Sequence, residues 1–324
     1  MSIRLRRRDF IAGLGGAAAW PLAARGQQPM PVVAWVVGST ADNLSLSVAA
    51  FRKGMSETGY IEGQNVTIEY HWLAGQYERL PALMSDLVRR RVTLIVDGAL
   101  AAKAATATIP IVFAVGQDPV KRGLVASLAR PGGNATGINF LSQELSAKRL
   151  QLLHELVPRA TRIAVVVNPA NANAESILSD VQEAARVLGM QVVVLHAGTI
   201  SQIDAAFAAL AREHADALFV AGDAFLSSRR VQFAILAARD RVPASYGGRE
   251  YAEVGALISY GTSNMETARQ AGVYTGNILK GAKPAELPVQ QAVKFQLVIN
   301  LGTARALGIE VPPTLLALAD EVIE

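Results

Sequence analysis

The sequence predicts an α/β fold in two lobes, each a mainly parallel sheet flanked by helices, with a hinge between the lobes. Three observations carry this. Continuous β-branched runs such as Val32–Val37, Ile111–Val115 and Arg162–Val167 read as strands covered on both faces. These runs alternate with amphipathic helical stretches through short connections, in two successive series of about a hundred residues each. Most runs then stop at small polar residues: Gly38-Ser39-Thr40, Asp97-Gly98-Ala99, Gly116-Gln117-Asp118-Pro119, Asn168-Pro169 and Gly222-Asp223. These are the carboxyl ends of strands, the edge at which open α/β sheets bind ligands.

Composition narrows the function classes. The chain has 324 residues, 51% of them hydrophobic, enough for two medium cores. Its formal charge of +4 suggests a nucleic-acid partner only until its distribution is examined. Residues 1–26 hold Arg4, Arg6, Arg7, Arg8 and Arg25 against Asp9 alone, so their removal leaves a neutral chain with no nucleic-acid partner expected. The absence of cysteine excludes disulfides, thiolate metal sites, a cysteine nucleophile and a lipid-modified cysteine anchor. His71, His154, His196 and His214 lack metal-ligand spacing, so neither a metal nor another cofactor is expected.

The N-terminus reads as an address. Arg7 and Arg8, followed by Phe10, Ile11 and a Gly/Ala-rich apolar segment to about Ala24, have the form of a twin-arginine export signal. The segment is too short and weakly apolar for a membrane span. Cleavage is expected near Gly26, leaving a soluble periplasmic protein.

Along the mature chain, the strand over 32–37 leads to a helix around Ser47–Met55, which Gly59 closes. A half-wet strand follows over 66–70 and a helix over 77–91, with Leu80, Leu83, Met84, Leu87 and Val88 inward. Next come a strand over 93–96, a short helix over 101–108, the buried strand to Val115 and a helical continuation over 120–128. An extended piece over 136–141 precedes a long helix over 143–157, with the hinge assigned to 139–142. The second series places strands at 162–167, 191–195, 217–220 and 257–262. Its helices are placed at 174–188, 203–213, 226–239 and 267–279. The chain closes with a strand over 294–300 and helices over 303–307 and 314–322. The lobes are therefore expected at 27–140 and 141–260, with 261–324 crossing between them.

No GxGxxG, GxxxxGK[ST], GxSxG or HExxH motif stands in the required context, and no close carboxylate pair suggests general acid–base work, so an enzyme is not expected. The strand ends instead give a binding set: Ser39, Thr40, Gly98, Asp118, Asn168, Asp223, Tyr246 and Tyr260. Hydroxyls and free backbone N–H groups hold a ligand carboxylate, an aspartate takes an ammonium, and tyrosines stack on an apolar side chain. Each also has a plainer reading: Ser39 and Thr40 as helix caps, Asn168-Pro169 as a turn, Asp118 as the cap of the chain from Pro119 onward.

The chain resembles the ABC-transporter substrate-binding proteins of the tryptophan and aromatic amino-acid type. The carriers are Phe51-Arg52-Lys53-Gly54, Gly59 to Asn65, Gln76 to Pro81, Ile109 to Phe113 with Asp118-Pro119-Val120, Arg130 to Asn134, Asn168-Pro169, Ser259 to Thr262 and Pro312 to Leu316. The resemblance implies a type I periplasmic-binding-protein fold with three interlobe crossings and hinge closure on a small ligand. It further implies a monomer that binds an amino acid or related carboxylate and delivers it to an inner-membrane ABC permease. Alternatives of other classes are a periplasmic ligand sensor and an α/β enzyme acting on a similar carboxylate.

Overall fold

The computed structural model describes residues 30–41 and 45–324, with the side chains of 142–144 left out. The export signal expected over 1–26 lies outside the described residues. Two sheets organise the chain. The first runs β11-β5-β4-β3-β1-β2, with β1 Val32–Val37, β2 Thr67–Trp72, β3 Leu94–Val96, β4 Ile111–Val115, β5 Ala135–Asn139 and β11 Gln290–Gln291, every pair parallel. The second runs β13-β12-β10-β9-β8-β6-β7. It contains β6 Arg162–Val167, β7 Gln191–His196, β8 Ala217–Val220, β9 Ala244–Tyr246, β10 Ile258–Thr262, β12 Phe295–Asn300 and β13 Glu321–Ile323. Only β10 and β12 pair antiparallel there.

Both sheets are sandwiched, as their unbroken apolar strands require. In β1, Ala34 and Val36 pack with Met84 and Leu87, while Val33, Trp35 and Val37 pack on the opposite face with Phe51 and Met55. In β6, Val165 and Val167 join Leu153 and Val181 on one face, and Ala164 and Val166 join Phe207 and Phe233 on the other. The chain passes between the sheets three times, at 139–142, 262–264 and 291–295. The segment after 261 is thus divided, giving helix Asn264–Leu279 and β11 to the first lobe and β12 and β13 to the second.

Three sequence expectations are corrected. Residues 120–128 form turns rather than a helix, because Gly123 takes a left-handed conformation (φ +69°) after one turn. The helix expected over 226–239 is two, Ala224–Ser228 and Arg230–Arg239, broken at Arg229. The closing helix ends at Leu318, and Glu321–Ile323 instead pairs with β12. That pairing gives the last residues a sheet ladder no local pattern announces.

The first lobe is locked by its late helix. Asn264–Leu279 lies against the early helix Ser45–Glu57 through glycines. A Cβ on Gly54 would stand 1.9 Å from the Arg269 carbonyl oxygen, one on Gly272 2.2 Å from that of Phe51, and one on Gly276 1.8 Å from Thr58 Oγ1. Arg269 also pairs with Glu57 across the crossing at 2.6 Å. Backbone cannot yield as a side chain can, so Gly272→Ala is expected to destabilise the protein by about 2 kcal/mol or more, read as a lower urea midpoint with an unchanged slope. An unchanged midpoint would contradict this account of the crossing.

Candidate functional site

The carboxyl edges of the two sheets meet at Asp223. This residue follows β8 and caps the helix Ala224–Ser228, its Oδ1 accepting from Leu226 N at 2.9 Å. Oδ1 also accepts from Asn168 Nδ2 at 3.2 Å, just past β6, and Oδ2 accepts from Asn171 Nδ2 at 3.0 Å. The fourth donor comes from the first lobe: the Tyr77 hydroxyl donates to Oδ2 at 2.9 Å. Burial, reinforced by the Asp223 charge, raises the Tyr77 hydroxyl pKa and keeps it a donor. Glycines permit this approach. A Cβ on Gly38 would stand 2.9 Å from Ala224 Cβ, and one on Gly75 3.0 Å from the Phe225 ring. Asn168 and Asp223 are both buried, as four satisfied bonds to a carboxylate allow.

A second carboxylate stands at the first lobe's edge. Asp97, the residue after β3, has φ +62°. Its Oδ1 accepts from the backbone N–H of Ala114 at 2.9 Å, continuing the ladder where β3 stops short of β4. Its Oδ2 accepts from Trp35 Nε1 at 2.9 Å. No cation faces it among the described residues. Desolvation outweighs both hydrogen bonds and pushes its pKa up to about 6.

The second lobe carries the opposite charge. Arg149, on the helix Ser142–Leu156, is buried and donates from Nη2 to the carbonyls of Val220 at 2.7 Å and Ser245 at 3.0 Å. Its guanidinium lies 4.1 Å from the Phe219 ring centroid. Burial lowers its pKa to about 9, and the ionisable groups it senses are the hydroxyls of Tyr251 and Tyr246.

The eight residues expected from sequence do not converge on one pocket. Asn168 and Asp223 share the interlobe contact, and Ser39 is buried beside Gly38, its carbonyl accepting from Ala74 N. Thr40 follows half-buried. Gly98 starts the helix Ala99–Ala105, where a Cβ would meet Met84 Cε at 2.5 Å, so packing and its left-handed φ of +62° account for it. Asp118 Oδ1 accepts from Val120 N at 2.8 Å and Lys121 N at 3.3 Å, the turn cap that was its plainer reading. Tyr246 is fully buried, stacked on Tyr251 with ring centroids 4.4 Å apart. Tyr260 lines a different hollow of about 1020 Å³, bordered by the crossing segments with Glu266, Gln290 and Phe295. Sequence reasoning missed Tyr77, Asp97 and Arg149. Asp97 carried the same strand-end signal as the chosen residues, whereas an arginine within a helix carries none.

Two mainly parallel sheets, crossed three times and meeting at their carboxyl edges, define a two-lobed binding protein of the periplasmic type. The chain belongs to the ABC transporter substrate binding protein family, which it matches over residues 32–323. The tyrosine-binding protein of Clostridioides difficile (strain R20291) is 27% identical over 273 residues, covering 83% of this chain and 78% of that protein. A solved conserved domain protein from Vibrio cholerae is 30% identical, with a TM-score of 0.83 over 90% of this chain and 99% of that one. A Streptococcus pneumonia domain solved in complex with L-Trp superposes with a TM-score of 0.80 at 24% identity, over 90% and 99% of the two chains. The family that the chain matches is one of substrate-binding proteins.

Asp97 makes stability depend on pH. Its carboxyl binds a proton more readily folded, at about 6, than at its ordinary 3.8. Its contribution is therefore fully present below pH 3.8 and is lost as pH rises through about 6. The difference in thermal midpoint between Asp97→Asn and the parent is expected to change across that window and to flatten above it. A pH-independent difference would contradict the assignment.

Proposed function

We propose that this protein is the periplasmic solute-binding component of an ABC importer, closing on a small amino acid and delivering it to an inner-membrane permease. The observation that carries the reading is the Tyr77–Asp223 hydrogen bond, which brings the ligand-binding edges of both sheets against each other. The first lobe contributes the strand end at Ser39 and Thr40, with Tyr77 and Asp97 at the same edge. The second contributes Asn168 and Asp223, whereas Tyr246 fills a core and Tyr260 lines the separate hollow at the crossing segments. Asp223 already accepts four hydrogen bonds, so Asp97, which has no cation opposite it among the described residues, is the better acceptor for a ligand ammonium. The tyrosine-binding relative and the L-Trp-bound neighbour favour an aromatic amino acid.

Ligand that binds only the folded state stabilises it by about 2.7 kcal/mol at a hundred times its Kd. L-Tyrosine or L-tryptophan is therefore expected to raise the thermal midpoint by several degrees, and Asp97→Asn to reduce that rise. Absence of stabilisation by any of the common amino acids would refute the reading. The same function requires export. Changing Arg7 and Arg8 together to lysine is expected to leave the precursor in the cytoplasm, measured by fractionation. Unimpaired export would exclude the twin-arginine route.

A further inference from the structure

Arg149 is a buried charge at this edge with a hydrogen bond left unmade. A guanidinium offers five N–H donors and always carries its charge in water. Here it is only 4% exposed, two of its bonds go to neutral carbonyls, and its Nε–H has no partner. No carboxylate lies within ion-pair reach among the described residues. Burying a cation without a counter-charge is costly, far more so than burying a pair. Two neutral carbonyls and the Phe219 face offset only part of that cost.

Its position is as telling as its isolation. Val220 is the last residue of β8, shortly before Asp223, and Ser245 lies in the short strand β9, so the guanidinium spans the carboxyl edge of the second sheet. A Cβ on Gly247, just past β9, would stand 3.5 Å from Arg149 Nη1, so bare backbone borders the charge. The neighbouring strand pair holds two more buried polar atoms without partners, Tyr246 Oη and Ser259 Oγ, on residues that are direct register partners. The Arg149 guanidinium, with its unpaired Nε–H, is an unfinished hydrogen-bonding site. Its net charge is positive, whereas the first lobe presents Asp97.

We infer that Arg149 is the second lobe's anchor for the carboxylate of the bound solute, its Nε–H donating to a carboxylate oxygen. The inference rests on the solute-binding reading above and deepens it. The ligand class is a zwitterion whose ammonium faces Asp97 and whose carboxylate faces Arg149. Amines and amides of the same side chain bind poorly, because they leave the buried cation unneutralised.

The test is a thermodynamic cycle by calorimetric titration, using L-tyrosine, L-tryptophan and the amides of both, against the parent protein and Arg149→Met. The parent is expected to prefer acid over amide by roughly 100-fold, and Arg149→Met to lose that preference while its affinity for the amide changes little. If Arg149 serves only as a strut for the Val220 and Ser245 carbonyls, the variant weakens acid and amide equally, which overturns the inference. A parent that binds acid and amide alike overturns it too, while leaving the solute-binding reading intact. A parent that binds neither amino acid counts against both. Should Arg149→Met not fold, the parent decides alone. Its slowly exchanging arginine Nε–H resonance is expected to shift with L-tryptophan and not with the amide, and an unmoved resonance contradicts the anchor.

Discussion

One phenol-to-carboxylate hydrogen bond, Tyr77 to Asp223, joins the functional edges of the two lobes. Three donors from the second lobe already hold Asp223 in place, and Tyr77 adds the one donor that comes from the first lobe. Such a bond is worth about 1.5–3 kcal/mol when one partner is charged. A bond of that size would bias an open–closed equilibrium of the proposed kind without locking it. In the proposed solute-binding role, a solute with a few kcal/mol of differential affinity for the closed state would decide the population. Gly38 and Gly75 serve the same end, since side chains there would prop the lobes apart against Ala224 and Phe225.

Charge is divided between the lobes in a way that suits a zwitterion. Asp97 and Arg149 each lie at a sheet edge, each is displaced from its ordinary pKa by burial, and neither has an opposite charge beside it among the described residues. A protein folding for stability alone would pair them or replace them with apolar groups. Left as separate unpaired charges, they fit the proposed zwitterionic solute, which would neutralise both. The hinge-side hollow of about 1020 Å³, rimmed by Lys148, Glu266 and Arg269, holds charges of both signs and lies at the crossing segments rather than at the meeting of the edges.

Much of the architecture was legible because parallel strands buried on both faces must be written as unbroken apolar runs, and Val32–Val37 and Arg162–Val167 are. What local pattern could not show was anything decided by distant partners. The β13 ladder at Glu321–Ile323 and the glycine-mediated crossing of Ser45–Glu57 with Asn264–Leu279 both depend on residues far apart in sequence. Of the candidate site, the contact between strand ends was legible and its partners across the lobes were not. Strand-end polarity located Asn168 and Asp223, but the same signal marks Asp118, which caps a turn, and Tyr246, which fills a core. Arg149 was invisible because a helical arginine ordinarily reaches for solvent; only its burial against Phe219 and two strand-end carbonyls distinguishes it.

The central claim is that the lobes close upon a solute held between their strand ends. The sequence contains no cysteine, so spin labels can be placed without background at exposed Leu46 in the first lobe and Val231 in the second. Pulsed electron–electron distance measurement in the absence of solute is predicted to give a broad or two-component distribution. With L-tyrosine or L-tryptophan it is predicted to collapse to one narrow component. An identical distribution with and without a solute that calorimetry shows to bind would contradict the account.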